Sequence, residues 1–187
     1  MEVTTLGYAL LGLLARESLS GYDLAQRLRG RVGFFWSARH SQIYPELARL
    51  EGAGLVRHEV VPQADRPDKK VYTITEAGLA ALRAWVVAPV APAAPRDELV
   101  LKAYSLWLAD PAEAAALLRE QERLHREHQT GYEARLARLE ATFGAALREP
   151  GGPPFATFLA LSRGIGYERE YADWCGWAAD LLTGARR

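Results

Sequence analysis

The residues best suited to chemistry lie between Arg39 and Lys70, and the chemistry they suit is recognition of a polyanion. Arg39, His40, Ser41, Gln42, Tyr44 and Arg49 fall off the apolar side of a predicted helix, where Ile43, Leu47 and Leu50 recur at i, i+4 and i+7. Glutamine and arginine match the hydrogen-bonding edges of adenine and guanine. Any surface helix has a solvated polar face, so the pattern by itself leaves DNA reading and plain exposure both open. Arg66, Lys69 and Lys70 stand at a turn rich in proline and aspartate. Cations there suit phosphate contacts, which position a protein without specifying sequence. Lysine also protects edge strands from stray pairing, and Asp65 and Asp68 dilute the patch.

Other groups carry less. Five tryptophans are many for 187 residues. Tyr104 and Trp107 share one predicted C-terminal helix, and Tyr167, Tyr171 and Trp174 lie at i, i+4 and i+7 on another. Flat side chains so placed suit either a planar ligand or ordinary packing. His125 and His128 share a helical face, but no acidic or cysteine partner stands at metal-ligand spacing, so no metal site is expected. Cys175 sits among apolar and small residues, the setting of an inert core thiol. There is no phosphate loop, nucleophile elbow or metalloprotease helix motif, so no catalytic residue, enzyme activity or cofactor is expected.

Composition sets the frame. Hydrophobic residues make up 49% and charged residues 25%, an ordinary globular balance, and the formal net charge is +0. Nucleic-acid affinity must therefore come from local patches. The first 88 residues hold 11 Lys and Arg against 9 Asp and Glu, and the remainder 12 against 14. One cysteine rules out an intramolecular disulfide and fits a reducing compartment. Thr4 to Leu14 lacks a basic flank and a cleavage site, and no apolar run reaches the ~20 residues of a membrane span. The cytoplasm is the expected location, with no membrane partner.

These residues need elements to hold them. Thr4 to Arg16 reads as a helix, with Leu6, Ala9, Leu10, Leu13 and Leu14 on its apolar face. Ser20 and Asp23 form a capping-box-like start for a second helix. Pro45 tolerates only a first turn, so the third helix is expected to begin near His40 or Ser41, with Ser41 a possible cap, and to end at Gly52 and Gly54. Leu55–Val61 and Lys69–Thr75 read as two strands, and Thr75 as the cap of a helix from Glu76 to about Val87. That order is a winged helix-turn-helix.

Residues 1–88 would form it, and 89–97, around PVAPAAP, a linker. Residues 98–187 would hold three helices: Asp97 to Leu108, a long one started by Asp110 and Pro111, and Phe155 to Leu182. Leu117 to Leu147 carries a heptad-like face broken by Gln121 and His128. Gly164, Gly166, Ala172, Cys175, Gly176 and Ala179 form a small-residue packing seam that suits close helix approach, including across a dimer. The expected fold class is mainly α with a small β-wing: a winged helix-turn-helix plus a three-helix dimerisation domain.

Gly21-Tyr22, the Ile43-Tyr44-Pro45-Glu46-Leu47 run, Arg49-Leu50-Glu51 with Gly54-Leu55, and Val71 to Gly78 stand in an order that resembles the PadR family of transcriptional regulators. Leu99 to Tyr104, Asp110 to Ala114 and the Tyr167, Tyr171, Trp174 spacing are more loosely similar to the longer helical domain of one PadR subfamily. The resemblance implies that Tyr44 and the residues just before it face the DNA groove. It also implies small aromatic effectors near a dimer interface, for which Tyr104, Trp107, Tyr167, Tyr171 and Trp174 are the candidates.

The expected function is ligand-responsive repression by a homodimer on a pseudo-palindromic double-stranded operator, with half-sites about 34–36 Å apart. The rival reading keeps the winged fold but docks a protein. Salt dependence of duplex binding separates the two.

Overall fold

The computed structural model describes residues 2–28, 40–62, 68–91 and 96–184. The chain divides into two compact units, Met1–Pro92 and Ala93–Arg187.

In the first unit α1 (Thr5–Leu14) is capped by Thr4, whose hydroxyl accepts from the Gly7 N–H at 3.0 Å. Leu10, Leu11, Leu13 and Leu14 are all buried. Leu11 lies off the expected apolar face because α1 is covered from several sides by later elements. β1 (Leu19–Ser20) leads directly into α2 (Gly21–Arg27), where the Ser20 hydroxyl accepts from the Asp23 N–H and donates to its carboxylate. The reciprocal capping bond thus runs side chain to side chain.

α3 (His40–Gly52) begins where expected, but Ser41 is its second residue and not its cap. Pro45 sits in the second turn, one turn deeper than its missing N–H would favour, so the Ser41 carbonyl loses its helical donor. The helix closes as the Leu55 N–H reaches back to the Leu50 carbonyl and Gly54 takes a φ of 71°.

β2 (Val56–Val61) and β3 (Lys69–Ile74) pair antiparallel, Val56 opposite Ile74 and Val61 opposite Lys69. The sheet has three strands and not two, in the order β1-β3-β2, with Leu19 opposite Tyr72. Two residues are too few to show alternation, so β1 leaves no sequence signal. Thr75 caps α4 (Glu76–Val86) and its hydroxyl also donates to the Gly54 carbonyl at 2.7 Å. Gly78 is required here, because a Cβ on it would stand 2.1 Å from the Leu55 carbonyl oxygen. The core joins Leu10, Leu11, Leu24, Leu28, Ile43, Leu47, Leu50, Val56 and Tyr72.

In the second unit Asp97 caps α5 (Glu98–Ala103) through the Leu99 and Val100 N–H groups. The first expected helix is shorter than read, since a separate 3₁₀ turn occupies Leu106–Leu108. Asp110 and Pro111 start α6 (Pro111–Phe143) as expected, a helix of 33 residues. α7 (Pro153–Thr183) ends on Gly184 in the left-handed region.

α6 and α7 run antiparallel, as the pairs Arg119–Asp180 and Arg126–Asp173 show. Ala115, Leu118, Cys175 and Ala179 make their shared core, packed by Leu99, Leu106, Tyr171 and Trp174. Ala172, Cys175, Gly176 and Ala179 of the small-residue seam therefore serve close approach within one protomer. A Cβ on Gly176 would lie 2.6 Å from the Glu122 carboxylate, whereas Gly166 has open space around it.

Candidate nucleic-acid interface

α3 is held by burying Ile43, Leu47 and Leu50 while Ser41, Gln42, Tyr44 and Arg49 stay exposed. Arg39, Arg66 and the wing turn lie outside the described residues, as does Trp36. His40 begins the helix. The ring of Tyr44 approaches the α2 backbone, so that a Cβ on Gly21 would meet its Cε1 at 2.5 Å. The Gly21-Tyr22 and Tyr44-Pro45 motifs thus report one close helix crossing.

The structure gives several of these residues other work. Arg49 pairs with Glu46 at 2.9 Å, and buried Glu46 also accepts from the Thr4 hydroxyl at 2.6 Å. That joins α1 to α3 through a carboxylate that periodicity did not single out. Lys69 Nζ lies 2.9 Å from the Asp23 carboxylate, tying β3 to α2. The Lys69 bond, then the Ser20 bond, hold the Asp23 carboxyl below its ordinary value. Lys70 is exposed on the same strand, so the two neighbouring lysines differ in role. His58 and Glu51 lock β2 to α3 with a 2.6 Å side-chain contact, and the His58 N–H adds a second bond to Glu51. Seven residues apart and in different elements, they had no sequence signal.

The aromatic candidates separate into two groups. Tyr171 contacts both Tyr167 and Trp174 along α7, with centroids 5.7 and 5.8 Å apart, and the His125 ring stacks on Tyr171 at 4.1 Å. The Tyr171 hydroxyl donates to the Asp97 carboxylate at 2.7 Å. Burial, then that bond, raise the Tyr171 phenol, and the same bond lowers Asp97. Tyr104 and Trp107 are instead 85% and 80% exposed, beside exposed Val100, Leu101 and Leu108. Cys175 is fully buried, and burial pushes its thiol up to about 11. No described helix is long and apolar enough to cross a membrane.

A helix-turn-helix with an antiparallel wing, followed by a long helical pair, defines the class: a winged-helix transcription regulator. The Transcriptional regulator PadR-like family matches residues 10–84, and the Virulence activator alpha C-term family matches residues 95–183. The chain is 35% identical to the negative transcriptional regulator PadR of Bacillus subtilis, over 90% of this chain and 92% of that protein. It is 34% identical to a probable transcriptional regulator of Mycobacterium tuberculosis, over 97% and 99%. The crystal structure of Bacillus subtilis PadR in complex with operator DNA aligns with a TM-score of 0.84 at 31% identity, covering 96% of this chain and 99% of that one. The complex of the same protein with p-coumaric acid aligns at 0.78 and 31%, covering 95% of each. The chain belongs to the PadR-like family of transcriptional regulators.

Proposed function

We propose that this regulator is a homodimeric repressor that reads a pseudo-palindromic operator and releases it on binding a small aromatic effector. Residues 1–88 would read DNA, 89–97 link, and 98–187 dimerise and sense. The observation that carries the reading is the exposed Ser41, Gln42 and Tyr44 edge of α3, held on a core shared with the wing. The Bacillus subtilis relative, described as a negative regulator and crystallised with operator DNA, supports it. His40, Ser41, Gln42 and Tyr44, with Arg39 before them, are the proposed base-facing residues. Arg66 and Lys70 are proposed phosphate contacts. Lys69 and Arg49 act mainly through the Asp23 and Glu46 partners that brace the site.

The exposed apolar group of Val100, Leu101, Tyr104, Trp107 and Leu108 supports pairing with a second copy, as do Trp177 and Leu181 on α7. The p-coumaric acid complex of the relative supports an aromatic effector, with Tyr167, Tyr171 and Trp174 as the flat faces that would meet it. No catalytic role is proposed for any residue, and the cytoplasm is the proposed location.

The test is footprinting of the purified protein on the DNA upstream of its own gene, repeated across salt concentrations. The reading requires protection of two half-sites and an affinity that falls steeply with salt as counterions are released. Binding without a footprint, or flat salt dependence, would favour a protein-docking role.

A further inference from the structure

We propose that His125, His128 and Glu168 form a binding site for one divalent transition-metal ion of the zinc, nickel or cobalt type. The site lies beside the proposed effector face, since the His125 ring stacks on Tyr171, but its three ligands are not among the residues proposed to read DNA or meet the effector. His125 and His128 lie one turn apart on α6, and antiparallel packing brings Glu168 of α7 between them. His125 Nδ1 is 2.5 Å and His128 Nδ1 3.6 Å from Glu168 Oε2, and one ligand atom from each residue falls within 4.8 Å of the others. A tetrahedral ion with bonds of about 2.0–2.2 Å sets its ligand atoms about 3.4 Å apart. The triad already brackets that spacing. Binding opens the short His125 contact by roughly 1 Å and releases any proton held in it.

Charge argues the same way. Glu168 is 6% exposed, and its ion-pair partners among the described residues are these two imidazoles. A buried carboxylate needs a compensating charge, and a divalent ion held by all three side chains supplies one. The donor set selects the ion's class. Two imidazoles and one carboxylate suit zinc, nickel, cobalt or copper(II) better than the all-oxygen cations. Cys175, buried in the core that α6 and α7 share, is not among the grouped ligand atoms.

The scaffold is rigid, because both histidines and the glutamate sit on long packed helices and the His125 ring is stacked on Tyr171. The His128 side chain is 60% exposed, which leaves an approach for the ion and a place for water as fourth ligand.

The experiment titrates cobalt(II) and zinc chloride into metal-stripped full-length protein, reading the visible absorption of cobalt and the melting temperature. Expected are one ion per protomer, a tetrahedral cobalt band and a melting temperature raised by metal. His128→Ala should keep its metal-free melting temperature and bind at least about 10-fold more weakly. Glu168→Gln should lose the band. His58→Gln, which changes an imidazole of the other unit, should titrate like the parent chain. The proposal is overturned by three results: no saturable binding in the parent chain, full binding retained in His128→Ala and Glu168→Gln, or loss of binding in His58→Gln. If Glu168→Gln lowers the metal-free melting temperature while metal leaves the parent chain unmoved, the triad is only a hydrogen-bonded clamp, and the proposal falls.

Discussion

The two units of this regulator solve the same problem, holding helices together, with local caps and long-range ties in each. In the winged unit the turns close with partners three residues apart: Ser20 with Asp23, Glu46 with Arg49, Thr75 with Gly78. The contacts that join elements span far more chain in both units: Thr4 meets Glu46 across 42 residues in the winged one, and the helical one is tied in the same way. His125 meets Glu168 across 43 residues, Arg126 meets Asp173 across 47, and Tyr171 meets Asp97 across 74. Short-range chemistry leaves a motif in the sequence, and long-range chemistry between helices leaves almost none. The units also differ in what they expose: a polar α3 edge in the first, and Tyr104, Trp107 and their apolar neighbours in the second. The uses proposed for the two units follow that difference.

The largest expected effect contrasts two glycines. Gly78→Ala drives a Cβ into a backbone oxygen that cannot move aside, whereas Gly176→Ala meets the end of the Glu122 side chain. Gly78→Ala should cost about 3 kcal/mol or more by chemical denaturation, and Gly176→Ala about 1 kcal/mol. Equal losses would show that both helix approaches are equally rigid.

Next comes the reading edge. Gln42→Ala should cost about 1–3 kcal/mol on the cognate duplex and little on a scrambled one. Tyr44→Phe separates two roles of the ring: it keeps the packing against Gly21 and removes only the hydroxyl. Unchanged cognate affinity in both variants would move base reading off α3.

The third test sharpens the long-range side. Tyr171→Phe removes the bond to Asp97 and should cost about 1 kcal/mol at neutral pH, the contact being only partly buried. Asp97 is held below its ordinary value of 3.8, first by that bond, so its contribution is fully present above 3.8 and fades as pH falls through the lower folded value. Urea midpoints across this acid range should show the fade in the parent chain and a smaller one in Tyr171→Phe. Parallel curves would mean that the bond carries no stability.

The smallest effect separates adjacent lysines. Lys70→Ala should weaken every duplex about equally and reduce the salt slope by about 1. Lys69→Ala should instead lower stability by a few tenths of a kcal/mol through its half-exposed bond to Asp23. A stability loss in Lys70→Ala would erase the distinction.

The sequence by itself determined the winged unit: the Ile43, Leu47, Leu50 stripe, the Ser20 and Thr75 caps and the two main strands each rest on neighbours in the chain. It determined the Asp110-Pro111 start of α6 for the same reason, because capping and proline geometry are local. Only the tertiary structure decided the rest. It paired two-residue β1 with β3 and committed Lys69 of β3 to the Asp23 carboxylate of α2. It turned the Cys175 to Ala179 end of the small-residue seam inward against α6 and set Glu168 between two histidines that had no acidic partner within reach of a spacing rule. Each of these depends on which faces of two distant elements meet. Helical periodicity states that a face exists, and packing alone selects what lies against it.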